Sequence, residues 1–417
     1  MVGARRGATI MTNPLQPLDS FSRTSLRAIC AFLLLVVAFL PVAVSAQSKR
    51  ASRFATLHTF TGPDGANPMA GVIIGKGGNL YGTTYSGGAT GHWGAVFEVD
   101  STGKETVLHS FRPGIWGYYP GAGLIRDESG NLYGTTDGDY SYAGTVFRLN
   151  SAGKQKVLHQ FVWSDGDGPS GLIRDEAGNL YGTTSAYGPN GYGTVFEVSA
   201  SGELATLYSF TGGADGGSPI AGVIRDAAGN LYGTTEYGGD GGGGTVFKLD
   251  PTGHFSVLYS FTGGTDGGGP VGLIRDQAGN LYATTVFGGD LSCDSGYGCG
   301  TVFKLDSAGK ETVLHSFTGG ADGGYTRSGG SLVRDKSGNL YGTTEFGGAS
   351  GGGTVFKLYT SGKLATLYSF TGGADGQTPY GLSRDAAGNL YGTTENGGDV
   401  SCKASTHGCG TVFKLHP

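Results

Sequence analysis

The chain has 417 residues, of which 83 are glycine, 14 are proline and only 15% are charged. Glycine at roughly three times its usual ~7% share, without a Gly-X-Y period, excludes collagen, and 11% aromatics exclude a solvated disordered chain. A formal charge of −5 argues against a nucleic-acid partner, so the composition points to a turn-rich all-β protein.

The first predicted element is a leader. Arg5, Arg6, Arg23 and Arg27 precede an apolar run from Ala28 to Leu40, and Val44-Ser45-Ala46 follows Pro41. This is the pattern of a secretory signal peptide cut after Ala46, with Met11 as an alternative start. An uncleaved anchor is the competing reading, but the run is shorter than the ~20 residues a span needs. The prediction is a secreted protein, periplasmic or extracellular, with no membrane span once residues 1–46 are removed. No cysteine follows the run closely, which argues against a lipoprotein. Cys30 lies in the leader, leaving Cys293, Cys299, Cys402 and Cys409. Two close pairs in an oxidising compartment suggest disulfides. The alternative, metal ligation, suits Cys-x-x-Cys better than these wider spacings.

From residue 53 onward the chain is repetitive. Four phrases return in order, each short, β-branched or aromatic, and bounded by Gly, Asp or Asn, which is the strand signature. The phrase Asn-Leu-Tyr-Gly-Thr-Thr starts at Asn79, Asn131, Asn179, Asn230, Asn280, Asn339 and Asn389, with Ala283 replacing glycine once. The phrase Thr-Val-Phe-Lys-Leu and its variants place phenylalanine at 97, 147, 196, 247, 303, 356 and 413. A third phrase, such as Val-Leu-His-Ser-Phe, ends at Phe60, Phe111, Phe161, Phe210, Phe261, Phe317 and Phe370, and a fourth, Gly-Leu-Ile-Arg-Asp, precedes each Asn-Leu-Tyr. Four strands in each of seven units predict a seven-bladed β-propeller over residues 53–417. The repeat region opens on the third phrase and ends on the second. The N-terminal strand is therefore expected to complete the last blade and leave no free edge.

These units resemble the Gloeo/Verruco tandem repeat of secreted bacterial proteins: Gly-Asn-Leu-Tyr-Gly-Thr-Thr, Gly-Thr-Val-Phe-Lys-Leu and Gly-Gly-Ala-Asp-Gly recur over residues 54–415. The resemblance implies an exported protein, often with a C-terminal surface anchor, which does not follow Pro417 here. It implies no known activity and supplies no catalytic residues.

Loop lengths divide the two faces. The first-to-second strand turn and the third-to-fourth strand turn are constant, whereas the other two connections vary and carry both cysteine pairs. Function is expected on the variable face. An aspartate recurs there, as Asp64, Asp165, Asp167, Asp215, Asp266, Asp322 and Asp375. One per blade cannot supply the 6–8 oxygens of a calcium site, and a turn-stabilising role is expected. Arg126, Arg174, Arg225, Arg275, Arg334 and Arg384 either line the lower channel as an anion ring or pair with nearby aspartates. Histidine exchanges with tyrosine at position 58, 109, 159, 208, 259, 315 and 368, which suits packing with a polar tip.

No hydrolase, zincin or nucleotide-loop pattern occurs, and no cofactor or metal site is expected. The uneven feature is aromatic. Trp93, Trp116, Tyr118, Tyr119, Tyr140, Tyr142 and Trp163, with Tyr187 and Tyr192 nearby, crowd the variable loops of the first three units. They form either a patch for a glycan or protein ligand, or a mutually buried cover for glycine-rich loops. The first expectation for function is a non-catalytic binding or scaffold module, monomeric. The alternative is a propeller lyase or glycan hydrolase with its site at the channel mouth, Asp137, Asp139, Glu236 and Glu345 being candidate acids.

Overall fold

Seven antiparallel sheets, visited in turn by the chain, make up the ring in the computed structural model, which describes residues 54–89, 91–112, 117–138, 143–326 and 332–417. The segment expected to be a signal peptide, residues 1–46, lies outside the described residues. Blade 4 shows the plan: an inner strand Ile224–Arg225, then Leu231–Thr235, Thr245–Leu249 and an outer strand Phe255–Ser260. In blade 3 the inner strand is split into Asp167–Pro169 and Ile173–Arg174. Closure is as the repeat order predicts. The N-terminal strand Phe54–Thr59 pairs with the C-terminal strand Thr411–Leu415, Phe54 opposite Leu415 and Thr59 opposite Thr411.

The constant turns are built from the aspartates and asparagines of their own phrases. Asp226 Oδ1 accepts from the Asn230 N–H at 2.9 Å, its Oδ2 accepts from the Tyr232 hydroxyl at 3.1 Å, and Gly229 takes the left-handed φ of 87° between them. The same carboxylate-to-tyrosine bond recurs at Asp127, Asp175, Asp276, Asp335 and Asp385.

Blades adhere through seven apolar clusters, each shared by two neighbours. At the centre of each an outer-end phenylalanine meets the third-strand phenylalanine of the next blade edge to face, as in Phe210–Phe247 at 5.2 Å and, across the closure, Phe60–Phe97 at 5.0 Å. Such pairs add about 0.5–1.5 kcal/mol beyond burial. A bulge aims a leucine into each cluster. Val96 pairs with His109 and Phe97 with Val107, so Leu108 has no cross-strand partner and turns onto blade 2.

The arginines follow neither sequence expectation. Each guanidinium stacks on the second-strand tyrosine of the preceding blade, Arg126 over Tyr81 at 5.6 Å and Arg174 over Tyr133 at 5.8 Å. Among the described residues the ion pairs use histidine instead. Each tyrosine hydroxyl already donates to a carboxylate, Glu98 for Tyr81 and the turn aspartate for the others, so the cation approaches the ring face. The glycine at the fourth position of the Asn-Leu-Tyr-Gly phrase is set by packing as well. It makes room not for the neighbouring sheet but for the phenylalanine ring opposite it in its own sheet, Gly233 facing Phe247. Close approach of neighbouring blades occurs instead at the inner strands, where a Cβ on Gly71 would stand 2.5 Å from the Gly381 carbonyl oxygen.

Candidate functional site

The inner strands enclose a central channel of about 340 Å³ whose described lining is small and apolar, with Gly71, Ala122, Gly171 and Ala221 among it. On the variable face the channel opens into a wider pocket of about 800 Å³, which shares Gly121, Ala122, Ser170 and Ile220 with it. That volume suits a small organic ligand or a short oligosaccharide.

Two positions recur in each blade at this level, and Tyr85, Asp137, Ser185 and Tyr119 are the ones among them that line this pocket. One is the residue that follows Thr-Thr on the second strand: Tyr85, Asp137, Ser185, Glu236, Val286, Glu345 and Glu395. The other precedes the inner strand, and its backbone is bonded to the first. Tyr119 donates its N–H to the Trp93 carbonyl at 3.0 Å and accepts at its own carbonyl from the Asp137 N–H at 3.1 Å. Tyr119 sits at φ 58°, as Asn67, Ser218 and Thr378 do at 55°, 56° and 57° in sister blades. The strained conformation therefore belongs to the scaffold, and the side chains alone differ. Glu236 accepts from the Ser218 hydroxyl at 3.2 Å and Glu395 from the Tyr380 hydroxyl at 3.2 Å.

The paired aromatic walls come from blades 1 to 3, and Tyr380 of blade 7 adds a further ring to the lining. Tyr85 and Tyr119 stack at 4.9 Å with their planes 14° apart. Trp163 packs on Tyr187 at 4.8 Å, and the two remain 38% and 50% exposed. Two carboxyls share this pocket, Asp137 and Asp167. Burial, reinforced by the charge of Asp167, pushes Asp137 up to about 7, and burial raises Asp167 as well. Burial and the charge of Asp137 also raise the Tyr85 phenol. The site thus holds one carboxyl raised to about 7 beside a second that burial also raises.

Of the sequence-selected aromatics, Tyr119 and Trp163 line the pocket. Tyr118 is 3% exposed and Trp93 packs edge-on against it at 5.2 Å, so this pair supports the Tyr119 wall from behind. Trp116, Tyr140 and Tyr142, like Asp139, lie outside the described residues. Tyr85, Asp167 and Tyr187 complete the wall. Tyr85 and Asp137 share the same place after Thr-Thr, which is the signal that aligning the seven copies could have revealed.

Apart from Asp167, the recurrent loop aspartates are turn elements. Asp215 accepts from the Thr211 N–H at 2.8 Å and from the Tyr208 hydroxyl at 3.0 Å. His315 takes the tyrosine's place against Asp322 at 3.0 Å, which explains why the two residues interchange. The cysteines form the disulfides Cys293–Cys299 and Cys402–Cys409, with Cα separations of 5.7 and 5.9 Å.

Asp137 sets a pH dependence. Its folded pKa is raised, so the folded state binds more protons than the unfolded state between about 4 and 7, and stability falls as pH rises through that window. Asp137→Asn removes the loss. The variant is expected to match the parent at pH 4 and to exceed it by about 1–2 kcal/mol at pH 8, after allowing for solvent screening at the open pocket. Urea titrations at the two pH values check this.

The profile of the Gloeobacter/Verrucomicrobia repeat matches residues 44–171, 137–331 and 291–417. No protein of curated function matches the chain. Among solved structures, the extracellular domain assigned to a hybrid two-component system of B. thetaiotaomicron is similar at 16% identity and TM-score 0.55, over 88% of this chain and 41% of that one. Another such domain from the same organism gives 11% identity and TM-score 0.57, over 86% of this chain and 39% of that one. PorZ, a surface component of the type-IX secretion system of Porphyromonas gingivalis, gives 15% identity and TM-score 0.50, over 85% of this chain and 47% of that one. The chain spans less than half the length of each, and at these identities the likeness is one of fold. No helix among the described residues is long and apolar enough to cross a membrane.

Proposed function

The chain belongs to the Gloeobacter/Verrucomicrobia repeat family, and from that premise we propose that it is a non-catalytic binding propeller that takes a glycan at the variable-face mouth of its channel. The observation that carries this reading is the pairing of two aromatic walls, Tyr85–Tyr119 and Trp163–Tyr187, with the carboxyls of Asp137 and Asp167 in one pocket. Sugar rings offer C–H faces to aromatic planes and hydroxyls to carboxylates, so both halves of the pocket find partners on one ligand. The apolar, glycine-lined channel beneath would exclude charged ligands from deeper entry. The protein acts outside the cytoplasm as a monomer, after cleavage behind Ala46, with residues 53–417 as the functional domain. Two disulfides and extracellular domains among its structural neighbours support that placement.

An oligosaccharide array probed with the mature protein tests the proposal. Trp163→Ala and Tyr119→Ala are each expected to weaken binding about tenfold or more. Tyr297→Ala, a 71% exposed ring on the disulfide loop, should change nothing. Absence of any bound oligosaccharide, or binding indifferent to both wall variants, would end the reading.

A hydrolytic role is favoured by one observation, the raised pKa of Asp137 beside Asp167. A carboxyl held near 7, with a second carboxyl in the same pocket, is suited to donate a proton to a leaving oxygen. Turnover of a bound polysaccharide, abolished by Asp137→Asn with binding retained, would replace the binding role with this one.

A further inference from the structure

Away from the channel, the outer strands of neighbouring blades meet at a second repeated position. The histidine or tyrosine near the end of one outer strand faces its loop aspartate, and the first residue of the next blade's outer strand lies beside them. At the junction of the closing strand with blade 1 these three residues are His58, Asp64 and Glu105. Their nearest ligand atoms all lie within 4.8 Å of one another, with His58 Nε2 and Asp64 Oδ2 at 3.0 Å. We propose that His58, Asp64 and Glu105 form a binding site for a divalent transition-metal cation of the zinc type, one that ties the closing strand to blade 1.

The chemistry of the donors fits. Imidazole nitrogen and carboxylate oxygen are both donors that zinc accepts, and three protein ligands leave a fourth position for water. Ligands of tetrahedral zinc stand roughly 3.3–3.6 Å apart, so only small rotations of the Glu105 side chain are needed. Asp64 is already fixed. Its Oδ1 accepts from the Thr61 N–H at 2.8 Å and the Thr61 hydroxyl at 3.0 Å, leaving Oδ2 for the cation side. Glu105 Oε1 is buried without a hydrogen-bond partner, an arrangement that costs free energy until a cation or proton meets it.

The ring supplies its own controls. Tyr259, Asp266 and Glu311 repeat the acids with a neutral phenol in the imidazole's place, and Glu311 Oε1 is buried without a partner in the same way. His159 with Asp165 and His315 with Asp322 repeat the other half, but the next outer strands begin at Leu204 and Leu364. Elsewhere the first residue is a phenylalanine stacked on the tyrosine, as Phe255 on Tyr208 at 3.9 Å, or Gln155 bonded to His109. Histidine, aspartate and glutamate coincide at one junction of seven. The proposal stands apart from the channel-mouth pocket and does not depend on it.

Because sister blades carry the replacements, the test variants are compatible with the fold. Zinc is titrated into the metal-stripped mature protein by calorimetry, with Tm followed in zinc and in excess EDTA. One bound zinc and a Tm raised by several degrees, reversed by EDTA, are expected. Glu105→Gln, which copies Gln155, and His58→Tyr, which copies Tyr259, should each weaken that binding at least about tenfold. Glu311→Gln should leave it unchanged. No zinc uptake, uptake untouched by either ligand variant, or equal loss in Glu311→Gln would overturn the proposal.

Discussion

Removing residues 1–60 is expected to abolish cooperative folding rather than merely lower Tm. The deletion takes away the strand Phe54–Thr59 and leaves Thr411–Leu415 as an open edge carrying Val412 and Phe413. Phe60 is fully buried against Phe97, and a lost core phenylalanine alone costs about 3–5 kcal/mol. Phe54 goes as well, with its stack on Tyr368 at 3.9 Å, and so does the backbone ladder. These losses together reach the 5–15 kcal/mol that a domain has in total, so the ring has no reserve to stay closed. The unpaired edge then offers its N–H and C=O groups to other copies. Size-exclusion chromatography and far-UV circular dichroism should show aggregated, non-melting material. A monomer with a sharp transition near the parent Tm would refute the role given to closure. A synthetic peptide of residues 53–66 should restore part of the folded signal, because the missing contacts are all contained within it and its partner edge.

The ring itself was readable because each strand phrase is written seven times, so chance matches average out and a missing or extra strand stands out at the ends. The sides of the disk were readable for a related reason: constant turn lengths can only belong to one face when strands run up and down. Side-chain direction was less accessible. Tyr118 and Tyr119 are adjacent in sequence, yet one is sealed behind the wall and the other forms it, because φ 58° at Tyr119 turns the chain between them. Leu108 reaches the next blade through a bulge that no local pattern announces. The pocket was harder still. Asp137 follows the second strand of blade 2 and Asp167 opens the inner strand of blade 3, and only the curvature of the ring sets them in one cavity. The arginine–tyrosine stacks have the same origin, since their partners lie a whole blade apart. What a repeat sequence conveys well is the unit; what it conveys poorly is the contact between units.

Leucine at position 233 is expected to destabilise the protein by more than about 1–3 kcal/mol, while alanine there should cost much less. Gly233 lies opposite Phe247 in the sheet, and the ring folds back over it so closely that a Cβ would overlap the ring edge. The ring cannot retreat far, since its other side meets Phe210 at 5.2 Å and Phe255 at 5.5 Å. Blade 5 shows what the position tolerates. Ala283 occupies it with its methyl fully buried, opposite Phe303, and the Phe261–Phe303 pair remains at 4.9 Å. One carbon is therefore absorbed by a small shift of the ring. Three more must displace Phe247 from the cluster or force eclipsed rotamers, and in a close-packed interface the strain passes to both neighbouring blades. The two substitutions separate volume from backbone effects, because Gly233 has no left-handed φ to protect. Thermal unfolding of both variants decides the point: an unchanged Tm for Gly233→Leu, or equal losses for leucine and alanine, would show that the ring is not what requires glycine here.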